Sequence, residues 1–129
     1  MRKYARESAF QMIYEFLFWE EPNALTRENL IERNKLNEDD VAYLDDVYQG
    51  VISHLDELKG EIEQASVNYS SLRLFKCDLA ILLLGLYEIR YREDVPNKVA
   101  LNEAIEISKI YSTDKSGAFI NGILAKFIE

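Results

Sequence analysis

The sequence predicts an all-α fold, a single domain covering residues 1–129 and built from about seven helices. Three observations support this prediction. Only two prolines and five glycines interrupt the 129 residues, which suits helices joined by short connections. Apolar residues make up 48% of the chain, and a chain of this length can bury one sizeable core. These residues recur at helical spacing, and we find no convincing strand-like alternation.

A long opening helix is predicted at about residues 3–19, and the pattern then breaks at Pro22. A short second helix follows and ends near Arg33. Its expected N-cap is Thr26, because a threonine hydroxyl can accept a hydrogen bond from a free N–H group of the first turn.

Asn37 is the expected N-cap of the third helix. Asp39 and Asp40 fall in its first turn, where negative charge is favourable at the positive end of the helix dipole. A weaker and more charged fourth helix is predicted at about residues 56–67, and NYSS, residues 68–71, is predicted to be a loop. The third helix has its apolar residues at helical spacing: Val41, Leu44, Tyr48, Val51, Ile52 and Leu55.

The fifth helix, at about residues 76–92, is the most apolar of the seven. Because it is apolar nearly all round, we expect the other helices to surround it. Gly85 lies inside this helix, where a glycine costs about 1 kcal/mol relative to alanine. We therefore expect a neighbouring helix to approach closely at Gly85.

The sixth helix is predicted to start near Pro96, a residue suited to a first turn, and to end at about Tyr111. The segment STDKS forms the last loop. The seventh helix, at about residues 116–128, carries an apolar series: Phe119, Ile120, Ile123, Leu124 and Phe127.

Composition excludes several classes of protein. The net charge of -8 argues against a whole surface that wraps nucleic acid, although it permits a local basic patch. Cys77 and His54 are the only cysteine and histidine, so neither an internal disulfide nor a Cys/His metal cluster can form. The longest apolar run, residues 79–87, is shorter than the roughly 20 residues of a membrane helix, and the N-terminus lacks a secretory signal. We expect a cytoplasmic protein with no bound metal and no membrane association.

The opening segment departs from the acidic character of the chain. Arg2, Lys3 and Arg6 fall within the first six residues. On a helical wheel, Tyr14 and Phe18 lie on the arc beside Lys3, opposite the predicted core face. That core face contains Ala5, Ala9, Met12, Ile13, Phe16 and Leu17, with Phe10 and Trp19 at its edges.

This segment has two interpretations. In the first, Tyr14 and Phe18 cover a neighbouring loop and the cations are solvated, since scattered surface aromatic residues are common. In the second, the cations bind phosphates and the aromatic rings stack on bases of a single-stranded nucleic acid, at about 1–3 kcal/mol per base. Composition alone favours the first interpretation.

The sequence contains no phosphate-binding glycine loop, dinucleotide motif or nucleophile-elbow motif. A nucleophilic pair of Cys77 and His54 is conceivable, but Cys77 opens the most apolar helix, where a thiol is more often inert packing. We predict a recognition module rather than an enzyme.

Five segments of the chain form a recognisable series: RKYARESAFQMIY, YLDDVYQGV, DLAILLLGLYEIRY, DVPNKVALNEAIEISK and SGAFINGILAKF. In their order and spacing they resemble the NusB family of bacterial transcription antitermination factors. The resemblance implies an all-helical fold with two packed subdomains, the first three helices against the last four. It also implies binding to the single-stranded boxA element of ribosomal RNA leader transcripts, as a heterodimer with NusE, a small-subunit ribosomal protein. The pair acts in the antitermination complex of RNA polymerase, with no cofactor and no catalysed reaction.

The same resemblance implies one RNA-binding surface formed by two ends of the chain. For Phe119, core packing of the last helix is an equally good interpretation of its spacing, and the resemblance favours RNA. We favour a packing role for Gly122. The residues implied in RNA binding are Arg2, Lys3, Arg6, Tyr14, Lys115 and Phe119.

The NusE surface is implied at the start of the fifth helix. Asp78 retains the acid that the family usually has there, whereas Leu79 and Leu83 replace basic residues of the family pattern. These apolar replacements could favour self-association into a homodimer. The modest number of N-terminal cations predicts weak RNA binding by the isolated protein, with NusE supplying much of the contact.

Two further interpretations remain open. The helical domain also resembles the N-terminal portion of a ribosomal RNA cytosine methyltransferase, which would require a long C-terminal catalytic domain that binds S-adenosylmethionine. The other alternative is a helical protein–protein adaptor that does not bind RNA.

Overall fold

The computed structural model describes residues 1–66 and 74–128, and these residues form seven α-helices and a final 3-10 turn. The predicted all-α class is confirmed. The elements are α1 (Arg2–Trp19), α2 (Ala24–Arg33), α3 (Glu38–Ser53), α4 (Leu55–Ala65), α5 (Lys76–Tyr91), α6 (Asn97–Tyr111), α7 (Ser116–Leu124) and the turn Ala125–Phe127. The predicted NYSS loop lies outside the described residues.

The N-cap of α2 is Asn23, and the prediction of Thr26 was wrong. The side-chain oxygen of Asn23 accepts hydrogen bonds from the backbone N–H groups of Leu25 at 3.0 Å and Thr26 at 3.3 Å. The hydroxyl of Thr26 instead donates to a carboxylate oxygen of Glu15 at 2.9 Å. Thr26 therefore connects α2 to α1 rather than beginning α2.

The predicted cap of α3 is confirmed and is reciprocal. The side chain of Asn37 accepts a hydrogen bond from the N–H group of Asp40 at 2.8 Å, and the carboxylate of Asp40 accepts one from the N–H group of Asn37 at 3.3 Å. This capping box satisfies donors that the first turn would otherwise leave unpaired.

The bounds of the last two helices differ slightly from prediction. Pro96 occupies the N-cap of α6 with an extended backbone, so the helix begins one residue later, at Asn97. Helix α7 ends at Leu124 and tightens into the 3-10 turn.

Helix α5 is the centre of the fold, as predicted. Every residue from Asp78 to Glu88 is buried, and α5 packs against α1, α3, α4, α6 and α7. A Cβ added at Gly85 would lie 2.7 Å from Cδ1 of Leu124 and 3.5 Å from Cβ of Ala104. Gly85 therefore permits the close approach of α6 and α7 that its position predicts.

A second close approach brings α3 onto α5 at Gly50. A Cβ there would lie 2.2 Å from Cζ of Tyr87, so the Tyr87 ring packs directly over the glycine backbone. The phenol of Tyr87 donates to a carboxylate oxygen of Asp46 at 3.1 Å.

The helices form two groups that meet at α5. In the first group α1 packs on α2 and α3, and in the second α5 packs on α4, α6 and α7. Contacts of α1 and α3 with α5 join the groups, in agreement with the two packed subdomains that the resemblance implies. Within the described part of the chain, no helix combines the length and apolar character needed to cross a membrane.

Candidate nucleic-acid interface

Arg6 lies inside the protein and is paired with Glu88. Only 4% of Arg6 and 1% of Glu88 is exposed. The guanidinium donates through Nε to Oε1 at 3.0 Å and through Nη2 to Oε2 at 2.9 Å. Burial alone would lower the pKa of Arg6, but the hydrogen bond and negative charge of Glu88 raise it, so the guanidinium remains charged. Arg6 was expected on the RNA-binding surface, and its charge is instead neutralised within the fold.

The ring of Tyr43 contacts three arginines, two from α1 and one from the end of α5. Its ring is buried, and guanidinium carbons lie near the ring centroid at 4.3 Å for Arg2, 5.5 Å for Arg6 and 5.1 Å for Arg92. Nη2 of Arg92 also donates to Asp94 at 2.8 Å. This arrangement holds the start of α1 against α3 and the end of α5, and leaves 40% of the Arg2 side chain exposed.

Lys3 is exposed at a groove between α1 and α6. Lys109 and Ile110 of α6 line the same groove, together with acidic Glu103 and Glu106. Lys109 donates to Glu106 at 2.8 Å, and this hydrogen bond lowers the pKa of the Glu106 carboxyl. The groove therefore carries both signs of charge, and Lys3 is a cation at its outer edge.

An aromatic series continues from this groove along α1. The rings of Phe10 and Tyr14 stack at 5.9 Å, and Tyr14 meets Phe18 edge-on at 5.1 Å. Tyr111, at the end of α6, lies 5.0 Å from the ring of Phe10, and its hydroxyl accepts a hydrogen bond from Gln11 at 2.9 Å. Phe10 is buried, Tyr14 is half-buried, and 52% of Phe18 is exposed.

The C-terminal members of the predicted site lie on the loop before α7 and on α7 itself. Lys115 is exposed, and Phe119, one turn later, is half-buried against the core. Thr113 of the same loop lines a cleft with Tyr14. The structure thus places Tyr14 beside the α6–α7 loop, whereas Arg2 lies about 18 Å from Tyr14 along α1 at 1.5 Å per residue. The predicted residues of α1 are therefore spread along the helix rather than gathered in one compact patch.

Asp78 is placed differently from the expectation for a partner surface. It is 5% exposed, and its carboxylate accepts a hydrogen bond from the hydroxyl of Ser112 at 2.5 Å. Leu79 and Leu83, which could have favoured self-association, are 6% and 0% exposed within the monomer. Asp78 therefore fixes the α6–α7 loop, and the two leucines fill the core.

Cys77 and His54 do not form a nucleophilic pair in this fold. Burial raises the pKa of the Cys77 thiol, whose sulfur contacts the carbonyl oxygen of Tyr111 at 3.4 Å. A raised pKa keeps the thiol protonated and poorly nucleophilic. His54 stacks on Tyr91 at 4.6 Å, at the opposite end of α5. Across the described residues, no group of three His, Cys, Asp or Glu side chains could hold a metal ion.

Sequence reasoning missed the aromatic and basic residues that adjoin Tyr14 from α5 and α6. Phe75, Lys76 and Tyr111 line a cleft with Tyr14 and Phe18. A signal was present, because Phe75 and Lys76 place an aromatic ring and a cation at the start of the fifth helix. Only the fold brings that point to the end of α1.

Comparison with known proteins gives a consistent result. The model of the NusB family matches residues 3–129. The transcription antitermination protein NusB of Acetivibrio thermocellus is 41% identical over 128 residues, which cover 99% of this chain and 88% of that protein. The protein of the same name from Agathobacter rectalis is 37% identical over 128 residues, covering 98% of each chain.

Solved structures show the same fold. T. maritima NusB superimposes with a TM-score of 0.83 at 27% identity, over 98% of this chain and 89% of that one. A crystal structure of the antitermination factors NusB and NusE in complex with double-stranded RNA contains a chain with a TM-score of 0.83 at 24% identity, over 98% of this chain and 94% of that one.

Proposed function

The chain belongs to the NusB family, and from this membership we propose that it is a transcription antitermination factor that binds boxA RNA together with NusE. It is a binding protein and not an enzyme. The complex that it forms promotes read-through of terminators by RNA polymerase during ribosomal RNA synthesis. Its site of action is the bacterial cytoplasm, where transcription takes place.

The observation that carries this proposal is the strip of cations and exposed rings along α1 of an acidic protein. Arg2 and Lys3 present positive charge at one end, and Tyr14 and Phe18 present aromatic surface toward the other. Cations bind the phosphate backbone, and aromatic faces stack on unpaired bases. Lys115 adds a cation from the α6–α7 loop.

Arg6 contributes to this surface by positioning it. Its ion pair with Glu88 ties the first turns of α1 to α5, so that Arg2 and Lys3 are held at fixed places. Phosphate binding is left to the exposed cations, because the guanidinium of Arg6 is already paired with a buried carboxylate.

NusE is the proposed protein partner, as in the solved complex of its relative. The chain has a net charge of -8, so its own attraction for RNA is restricted to the strip. Asp78, which the resemblance implies at the NusE surface, is buried and supports the α6–α7 loop through Ser112, so we propose that it affects NusE binding only by positioning this loop.

Single-stranded RNA is the proposed ligand, although the related complex contains a duplex. Half-exposed rings such as Phe18 can stack on bases only where those bases are unpaired. A duplex would offer phosphates to Arg2 and Lys3 but no base face to Tyr14.

Fluorescence anisotropy with labelled RNA tests the proposal. The complex with NusE is titrated against single-stranded boxA RNA, a scrambled strand of the same composition and a boxA duplex. We expect the boxA strand to bind most tightly, and binding to weaken when NusE is omitted. Equal affinity for all three ligands would overturn sequence-specific, single-stranded recognition. If NusE binds while no RNA does, the protein is an adaptor.

A further inference from the structure

We propose that a cleft where α1, α5 and the α6–α7 loop meet holds one unpaired base of the bound RNA, beyond the base that Tyr14 contacts. This inference rests on the proposed function and adds a second stacking site to it. The residues that matter for the argument are Tyr14, Phe18, Phe75, Lys76, Tyr111 and Thr113, all of which line the cleft.

The cleft has the size and surface of a ligand site. Its volume is about 540 Å³, within the range of about 300–1,000 Å³ that is usual for small-molecule pockets. Exposure is 52% for Phe18, 61% for Phe75 and 38% for Tyr111. Three large rings around one concave surface leave apolar area in water that a flat aromatic ligand would cover.

Its charge suits a nucleotide rather than an apolar peptide. Nζ of Lys76 lies over one face of the Phe18 ring, 4.5 Å from its centroid. A base that stacks on this face would displace the ammonium group, which could then pair with the phosphate of the same nucleotide. The hydroxyl of Thr113, which lies 2.9 Å from that of Ser116, adds a polar group at the rim.

The cleft is continuous with the proposed RNA strip. Tyr14 belongs to both, because its ring meets Phe18 at 5.1 Å and stacks on Phe10 at 5.9 Å. Thr113 of the cleft lies two residues before Lys115 of the strip. A strand that follows α1 past Tyr14 therefore reaches Phe18 and Phe75 next.

The experiment tests which base of the RNA depends on the side chains of the cleft. Each nucleotide of a boxA strand with short flanks is replaced in turn by an abasic one, and binding to the NusE complex is measured for the wild type and for a double variant, Phe18→Ala with Phe75→Ala. In the wild type we expect several abasic positions to weaken binding, and the position held in the cleft to weaken it by about 5- to 150-fold. In the double variant that penalty should fall to within about twofold, while the penalties at other positions persist.

Matched controls separate stacking from general loss of surface. Trp19 follows Phe18 in the chain and is 73% exposed, but its ring lines a different cleft, with Pro22 and Asn23. Trp19→Ala should therefore leave the loss of affinity at every abasic position unchanged. Lys76→Gln should make the slope of log K against log salt shallower by about 0.7. Lys59→Gln, at an exposed site on α4, should leave the slope unchanged.

The outcomes distinguish this inference from the function on which it rests. Failure of the wild-type complex to bind boxA RNA would contradict the function itself. RNA binding in which no abasic penalty changes in the double variant would overturn the base site alone. If the double variant instead loses NusE while the RNA penalties persist, the cleft is a protein-docking surface and the inference is wrong.

Discussion

Arg6 and Glu88 form a buried ion pair that joins residues 82 positions apart in the chain. Removing one member leaves the other charge buried without its partner, which typically costs about 3–5 kcal/mol. We expect Arg6→Ala to lower the free energy of unfolding by this amount in urea denaturation. The loss of RNA binding that would follow is therefore a consequence of a weakened fold.

A double variant distinguishes the cost of leaving one buried charge unpaired from the cost of removing both charges. Arg6→Met combined with Glu88→Leu removes both charges and should recover much of the stability that Arg6→Ala loses, because apolar residues of similar volume often replace buried ion pairs without cost. Lys3→Ala, at an exposed site on the same helix, should leave stability within about 0.5 kcal/mol. Equal denaturation midpoints for Arg6→Ala and Lys3→Ala would contradict the structural role of the pair.

At the scale of elements, the approach of α3 to α5 depends on Gly50. A Cβ at this position would lie 2.2 Å from the Tyr87 ring, which is buried and hydrogen-bonded to Asp46. Gly50→Ala should therefore destabilise the protein although alanine favours a helix. Displacing the ring would also disturb the hydrogen bond between the Tyr87 hydroxyl and Asp46.

Gly60 offers the matched control, in the middle of α4. A Cβ there would meet no described atom within 4 Å, so Gly60→Ala should stabilise the protein by about 0.5–1 kcal/mol through helix propensity alone. Thermal unfolding followed by circular dichroism compares the two variants. A melting temperature of Gly50→Ala above that of the wild type would show that the Tyr87 ring can move away without cost.

The elements were largely predictable from sequence because their signals are local. Asn37 and Asp40 lie three residues apart and form the whole cap of α3, and the all-round apolar pattern of the fifth helix predicted its burial. Thr26 was misassigned because its hydroxyl bonds to Glu15 of another helix, a contact that no local pattern contains.

The candidate site was less predictable because its residues are defined by contacts between helices, which no local sequence pattern contains. A helical wheel shows which way a side chain points and not what it meets, so Arg6 and Asp78 gave no sign of their partners Glu88 and Ser112. Arg6 is paired with a buried carboxylate, and Asp78 accepts a hydrogen bond from a serine hydroxyl inside the fold. Phe75 was missed because only tertiary packing brings it to the end of α1.

At the scale of the whole molecule, the position of charge matters more than its sum. The net charge is -8, yet RNA binding is proposed at a strip whose cations are the exposed Lys3 and Lys115 and the partly exposed Arg2, which also lies 3.7 Å from Asp94. A long-range field of this sign repels RNA and is screened beyond about 10 Å at 0.1 M salt, whereas contacts at the strip act at short range. The long-range field and the contacts at the strip can be separated by removing the same number of cations either from the strip or from a distant surface.

Two double variants make the same change in net charge at different positions. Arg2→Ala with Lys3→Ala removes an arginine and a lysine from the strip, and Arg33→Ala with Lys59→Ala removes the same pair from exposed sites on α2 and α4. Each shifts the net charge by two, from -8 to -10. If Arg2 and Lys3 each neutralise one phosphate, together they contribute about -1.4 to the wild-type slope of log K against log salt.

The strip variant should weaken boxA binding and make this slope shallower by about 1.4, since two phosphate contacts are lost. The distant variant should keep the wild-type slope, with only a small and screened loss of affinity. Anisotropy titrations of the NusE complex over a salt series measure both quantities. Identical slopes for the two variants would mean that the overall field governs binding and that the N-terminal cations make no phosphate contacts of their own.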